Sequence, residues 1–110
     1  AGIIVSHHHG IMDYAVPPLM VLPKIVKVIN KKIPIFVDCC IESGMDVFKA
    51  LALGADGVCV GRAIMEPLKE HGAQGVCDKL LQMDQELRGA MARTGFADVE
   101  SIDETVLWRK

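Results

Sequence analysis

The stretch GIIV at residues 2–5 runs directly into SHHH at 6–9, and two further segments repeat this pattern. PIFV at 34–37 ends at Asp38, and GVCV at 57–60 ends at Gly61. Each apolar run is too short for a helix and is rich in β-branched residues, which is typical of a strand buried on both faces of a parallel sheet. Helix-length segments separate the runs. The alternation predicts an α/β fold of right-handed βαβ units.

The segments between the runs predict helices with recognisable ends. The first begins at Pro17–Pro18, and a break is expected at Pro23, because proline suits the first turn of a helix. Ser43 is the predicted N-cap of a second helix over 44–53, with Asp46 as its capping partner. After the third strand we expect a short helix from 62 to about 71, a break at Gly72, a long amphipathic helix from 73 to about 93, and a tail of loops and short turns.

Bulk composition limits the class of protein. A chain of 110 residues with 51% hydrophobic content forms at most one domain and is not disordered. A net charge of -2 provides no general attraction for nucleic acid or an anionic membrane. No apolar run approaches the ~20 residues that a membrane span requires. We therefore expect no nucleic-acid or membrane partner.

The cysteines indicate the compartment. Their spacing fits no small disulfide scaffold, so we expect reduced, buried thiols in a cytoplasmic protein. The chain starts without methionine at the edge of a strand, which suggests the middle of a longer protein. The four cysteines are Cys39, Cys40, Cys59 and Cys77.

Polar side chains follow each predicted strand. The carboxyl ends of parallel strands meet at one edge of a sheet, where α/β folds place their chemistry. Histidine, aspartate and arginine at these ends therefore predict part of an active site. Adjacent histidines point in different directions, so we expect no metal site at residues 7–9. Three strands also leave both sheet edges open, so the remainder of a barrel or other copies of the chain must complete the sheet.

Several segments resemble the FMN-dependent α-hydroxy acid oxidases and dehydrogenases, such as lactate oxidase and glycolate oxidase. The resemblance implies a partial TIM (β/α)8 barrel, in which residues 1–110 are the last three βα units plus the C-terminal helix of a single domain. It implies FMN as cofactor and a small 2-hydroxy acid as substrate, oxidised to a 2-oxo acid. The segments that carry it are 2–13, 37–38, 46–56, 60–62 and 86–103.

The family signature after its sixth strand is Ser-Asn-His-Gly-Gly-Arg-Gln-Leu-Asp, and residues 6–13 match it with one residue fewer. Counting from the serine, His8 falls on the catalytic base and Asp13 on the carboxylate paired with it, with His7 and His9 as alternatives. A neighbouring carboxylate favours the imidazolium and suits a base near neutral pH. Residues 11–12 are Ile and Met, where the family has the arginine that holds the substrate carboxylate.

The family also places Asp-Gly-Gly-x-Arg after its seventh strand, around the flavin phosphate. Here only Asp38 is kept, and Glu42 occupies the arginine position. A carboxylate ~4 Å from a phosphate costs up to about 4 kcal/mol per charge pair at an effective dielectric of 20, so Glu42 is expected to point away. Gly61 and Arg62 match the phosphate-binding Gly-Arg, and the helix that starts at Ser43 offers further amides to an anion.

Two other functions remain open at this point. One is a barrel that holds FMN or another phosphorylated ligand without hydroxy acid turnover, which the departures at residues 11–12 and 39–42 favour. The other is a protein like the flavin-type isopentenyl diphosphate isomerases, another phosphate-binding barrel.

Overall fold

Three short strands form one parallel sheet in the computed structural model, which describes residues 1–108. The strands β1 (Ile3–Val5), β2 (Ile35–Val37) and β3 (Gly57–Val58) lie in the order β1-β2-β3. Their register aligns Ile4 with Phe36 and Phe36 with Gly57. The predicted α/β architecture with a parallel sheet is confirmed, although β3 is shorter than the apolar run that predicted it.

The helices are α1 (Pro18–Ile29), α2 (Gly44–Ala52) and α3 (Met65–Thr94). The expected break at Pro23 is wrong, because α1 continues through it. Pro23 lacks one backbone donor, and burial of its neighbour Leu22, which is 0% exposed, offsets that loss. The break at Gly72 is confirmed, since this residue has non-helical angles within α3. Short 3-10 turns cover Arg62–Ile64, Val99–Ser101 and Glu104–Val106.

The helices cover one face of the sheet only. Val5, Ile35 and Val37 pack with Leu22 of α1 and Ala50 of α2 in the main core. On the opposite face Ile4 is 59% exposed and Phe36 38% exposed. The prediction that the strands are buried on both faces is therefore wrong for the described residues, because no helix reaches the second face.

A second core joins α2 to α3 and the tail. It contains Phe48, Ala52, Ala90 and Ile102, and the rings of Phe48 and Phe96 are 6.3 Å apart. Among residues 1–108 no helix is both long and apolar enough to span a bilayer.

All four cysteines are free, as predicted. Burial is confirmed for Cys39 alone, and Cys40, Cys59 and Cys77 are exposed. The expectation of burial is wrong for these three because Cys40 and Cys59 lie at the open end of the sheet and Cys77 lies on the exposed side of α3.

Candidate functional site

The carboxyl ends of the strands surround one small cavity of about 150 Å³. His9, Asp38 and Arg62 contribute to its walls, so residues from all three strand ends meet there. The remaining wall is formed by residues 39–42, 59–61 and 63. A larger groove of about 480 Å³ lies at the opposite end of the sheet, beside Lys31, Lys32 and Asp56, and contains none of the predicted site residues.

The histidine loop, residues 6–10, separates the three imidazoles. His7 accepts a hydrogen bond at Nδ1 from the amide of Gly10 at 3.1 Å, which ties its ring into the turn. The amide of His8 donates to Ser6 Oγ at 3.1 Å. His8 and His9 both have φ of 54°, a left-handed conformation that residues other than glycine rarely adopt. His9 is the histidine on the cavity wall, and sequence reasoning had left it as an alternative.

Cys39 connects this loop to the end of β2. Its thiol donates to Asp38 Oδ1 at 2.9 Å, and its sulfur lies 3.5 Å from Ser6 Oγ. The amide of His9 donates to the same sulfur at 3.5 Å. The contacts of the sulfur with Ser6 and His9 join residues 33 and 30 positions apart, so no local pattern in the sequence could have revealed them.

Asp38 is the carboxylate that lies with the histidines. Burial raises the pKa of Asp38, but hydrogen bonds from Cys39 and Ser6 and the charges of His8 and His9 outweigh it, so the pKa lies below its usual range. Asp38 is therefore ionised near neutral pH and places a negative charge beside the histidine loop.

Asp13 lies elsewhere. It is exposed in the turn beyond the histidine loop and makes no hydrogen bond or ion pair with the rest of the described chain. The predicted pairing of Asp13 with His8 is not made, because the turn at 11–14 carries Asp13 out into solvent. The carboxylate near His8 and His9 is Asp38.

The backbone amides at the start of α2 are already hydrogen-bonded within the protein. Ser43 is the N-cap and forms a capping box with Asp46, as predicted. Asp46 Oδ2 accepts from the amides of Glu42 at 3.1 Å and Ser43 at 3.0 Å, and Gly44 N donates to Glu86 Oε2 at 2.7 Å. Two carboxylates thus occupy the amides that the sequence had offered to an anion. Ser43 does not line the cavity.

Unlike the amides at the start of α2, Gly61 and Arg62 are not bonded to carboxylates of the described residues. A Cβ placed on Gly61 would meet nothing within 4 Å, so the backbone there is open. Arg62 begins a 3-10 turn and is exposed, and no carboxylate in residues 1–108 pairs with its guanidinium. This side of the cavity can accept an external anion. No group of three or more His, Cys, Asp or Glu side chains within the described residues is arranged to hold a metal ion.

Comparison with known proteins gives the site a context. A model of the family described as FMN-dependent dehydrogenase matches residues 1–109. A 2-hydroxyacid oxidase of Dictyostelium discoideum is 42% identical over 97% of this chain and 28% of its own length. An L-lactate dehydrogenase of Caulobacter vibrioides is 41% identical over 96% of this chain and 28% of its own.

Solved structures agree with these sequence relatives. A mandelate oxidase variant with the monooxide FMN adduct superposes with a TM-score of 0.90 and 40% identity. The match covers 94% of this chain and 33% of that structure. The chain thus spans about a third or less of the length of the proteins it matches.

Proposed function

The chain belongs to the FMN-dependent dehydrogenase family, and from this premise we propose that it supplies part of the active site of an enzyme that oxidises a 2-hydroxy acid to a 2-oxo acid. The observation that carries the proposal is the meeting of His9, Asp38 and Arg62 around one cavity at the carboxyl ends of the strands. FMN, when bound, supplies the acceptor for the electron pair.

The architecture supports a barrel that is completed elsewhere. Consecutive parallel strands in the order β1-β2-β3, with α1 and α2 on the same face, are what neighbouring units of a (β/α)8 barrel require. The exposed face with Ile4 and Phe36 would then be the barrel interior. We propose that residues 1–110 are the last three βα units plus the C-terminal helix, and that the remainder of the barrel covers this face.

The base is proposed to be His8, with His9 as the alternative. His7 is less suited because its Nδ1 already accepts a hydrogen bond from Gly10. Both candidates lie close enough to Asp38 for their charges to lower its pKa. An ionised Asp38 stabilises the imidazolium that forms when the histidine takes the substrate proton.

The residues present fit the phosphate of FMN on one side of the cavity. Arg62 offers a guanidinium that pairs with no carboxylate within residues 1–108, and Gly61 allows close backbone approach. Asp38 is proposed to anchor the cofactor or the loop beside it. Ser43 loses its support as a phosphate contact, because its hydroxyl and amide bind Asp46.

A test measures flavin bleaching under anaerobic conditions in the complete protein that carries this chain. After reconstitution with FMN, addition of L-lactate, glycolate or mandelate should bleach the flavin absorbance. Replacement of His8, and separately of His9, by alanine identifies the base as the variant that binds FMN but is not reduced. A protein that binds FMN and is reduced by none of these acids would contradict the proposal.

That last result would favour the second candidate, a flavin- or phosphate-binding barrel without hydroxy acid turnover. Its supporting observations are Glu42 on the cavity wall and the exposed Ile11 and Met12, which are 76% and 70% exposed and cannot hold a carboxylate. The isomerase alternative loses its support, because the matched family is one of dehydrogenases.

A further inference from the structure

Cys39 differs from the other cavity residues in combining two features. Its backbone has a conformation that favours glycine, and its thiol group makes several hydrogen-bond contacts. Its φ is 70° and that of Cys40 is 59°, a region that costs any residue with a Cβ. Cys39 is 8% exposed and contacts Asp38, Ser6 and His9 through sulfur, whereas Cys40 is exposed. Cys39 and Cys40 thus both have an unfavourable left-handed backbone conformation. The sulfur contacts of Cys39 can offset that cost, whereas the exposed side chain of Cys40 makes no such contacts within the described residues.

We propose that Cys39 is a positioning residue that anchors the histidine loop against the end of β2. This inference rests on the proposed function, because the loop matters for catalysis only if a histidine in it is the base. The sulfur contacts Ser6 and His9 on the loop and Asp38 just after β2. Ser6 also hydrogen-bonds Asp38 directly, so the part of the loop that depends on the sulfur is His9.

The anchor has a chemical consequence. The thiol donates to Asp38, and the amide of His9 donates to the sulfur, so the hydrogen bonds run from the loop through sulfur to the carboxylate. Without the sulfur, the loop keeps its internal bonds from His8 to Ser6 and from Gly10 to His7, and Ser6 keeps its bond to Asp38, but the amide of His9 loses its partner. The His9 end of the loop would then be free to move relative to Asp38, with its imidazole no longer held for proton transfer.

Besides Cys39, four titratable or charged side chains lie near Asp38 in the described part of the chain. Asp38 is faced by His8 and His9 from the loop after β1, while Glu42 and Arg62 line the same cavity from the loops after β2 and β3. The side chains that hydrogen-bond Asp38 are those of Cys39 and Ser6, and of these two Cys39 alone also binds the amide of His9.

The test compares Cys39→Gly with Cys40→Gly in the complete protein. Both substitutions relieve the same left-handed strain, so neither should prevent folding. Cys39→Gly should accelerate amide hydrogen exchange at His9 about fivefold, the effect expected for loss of one hydrogen bond, and should raise the pKa of Asp38 measured by NMR. Cys40→Gly should change neither quantity.

Rescue and turnover complete the design. Cys39→Ser keeps a donor and an acceptor and should restore slow exchange and the low pKa of Asp38. In turnover, Cys39→Gly should lower kcat about tenfold with KM nearly constant, since a displaced base slows chemistry more than binding. Cys77→Ser, an exposed thiol on α3, is the activity control.

Two results overturn the proposal. Equal exchange at His9 in Cys39→Gly and Cys40→Gly would show that the sulfur anchors nothing, and so would a Cys39→Ser variant that behaves like Cys39→Gly. If the unmodified protein fails to oxidise any 2-hydroxy acid, the proposed function fails. In that case the exchange comparison alone decides whether Cys39 anchors the loop.

Discussion

The loop after β2 (residues 38–43) lines the cavity through residues 38–42, and the loop after β3 (residues 59–62) lines it along its whole length. The polar groups of the two loops are bonded differently. The β2 loop bonds inward, through the thiol of Cys39 and through the amides of Glu42 and Ser43, which donate to Asp46 in the first turn of α2. The β3 loop leaves Gly61 uncovered and the guanidinium of Arg62 without a carboxylate among the described residues. From this difference we propose that the β2 loop supports the site and that the β3 loop binds the anion.

The largest expected effect concerns the glycines beside the two loops. A Cβ at Gly44 would collide with the backbone carbonyl of Met83, whereas a Cβ at Gly61 meets nothing within 4 Å. Gly44→Ala should lower the free energy of unfolding by about 3 kcal/mol, because backbone atoms of α3 cannot move aside easily. Gly61→Ala should change it by less than about 0.5 kcal/mol. Urea denaturation of both variants measures the difference, and similar losses would contradict the packing described.

The next effect concerns the anion itself. Arg62→Gln should weaken FMN binding about 10- to 100-fold, since a hydrogen bond to a charged group contributes about 1.5–3 kcal/mol. Arg88→Gln is the matched control, because that guanidinium is exposed on α3 and pairs with Asp84 at 2.7 Å. Fluorescence titration with FMN measures both. Equal affinities in the two variants would remove Arg62 from the phosphate site.

A substitution in the β2 loop should have a smaller effect on FMN affinity, and of the opposite sign. The sequence predicts that Glu42 points away from the phosphate, but Glu42 lines the cavity. A carboxylate there would repel a bound phosphate, so Glu42→Gln should strengthen FMN binding by up to about fivefold, the effect of about 1 kcal/mol at 4 Å in water. Glu100→Gln, in the groove at the other end of the sheet, should leave affinity unchanged. Calorimetry at low salt makes the difference largest. Weaker binding in Glu42→Gln would show that this carboxylate supports the cofactor.

The smallest effect concerns acid stability. Because the pKa of Asp38 is lowered in the folded state, its stabilising contribution is present above the unfolded pKa, near 4, and is lost as the pH falls through the folded value. Asp38→Asn should therefore lose less stability between pH 6 and pH 3 than the unmodified protein. Asp13→Asn, an exposed residue, should lose as much as the unmodified protein does. Urea midpoints at the two pH values check this, and identical losses in both variants would contradict it.

Much of the fold was predictable because local patterns determine it. The apolar runs located all three strands, and Ser43 with Asp46 predicted the capping box that begins α2. Pro23 misled because tertiary burial of Leu22 outweighs one missing backbone donor. Burial on both faces was also wrong here, since the pattern of a strand does not reveal which segments cover it.

The site was less predictable because its contacts are distant in sequence. The strand ends indicated His8, Asp38, Gly61 and Arg62, and their roles stay predictions. The bridge through Cys39 and the bond from Gly44 to Glu86 join residues 30 to 42 positions apart, which periodicity cannot detect. Asp13 was chosen by counting along a motif, and the turn that follows the histidine loop carries it into solvent.

The most direct measurement compares FMN with riboflavin, which lacks the phosphate, in the unmodified protein and in Arg62→Gln. If the β3 loop receives the phosphate, FMN should bind the unmodified protein at least tenfold more tightly than riboflavin does, and Arg62→Gln should abolish most of that preference. A preference for FMN that survives in Arg62→Gln would place the phosphate elsewhere and contradict the assignment of the two loops.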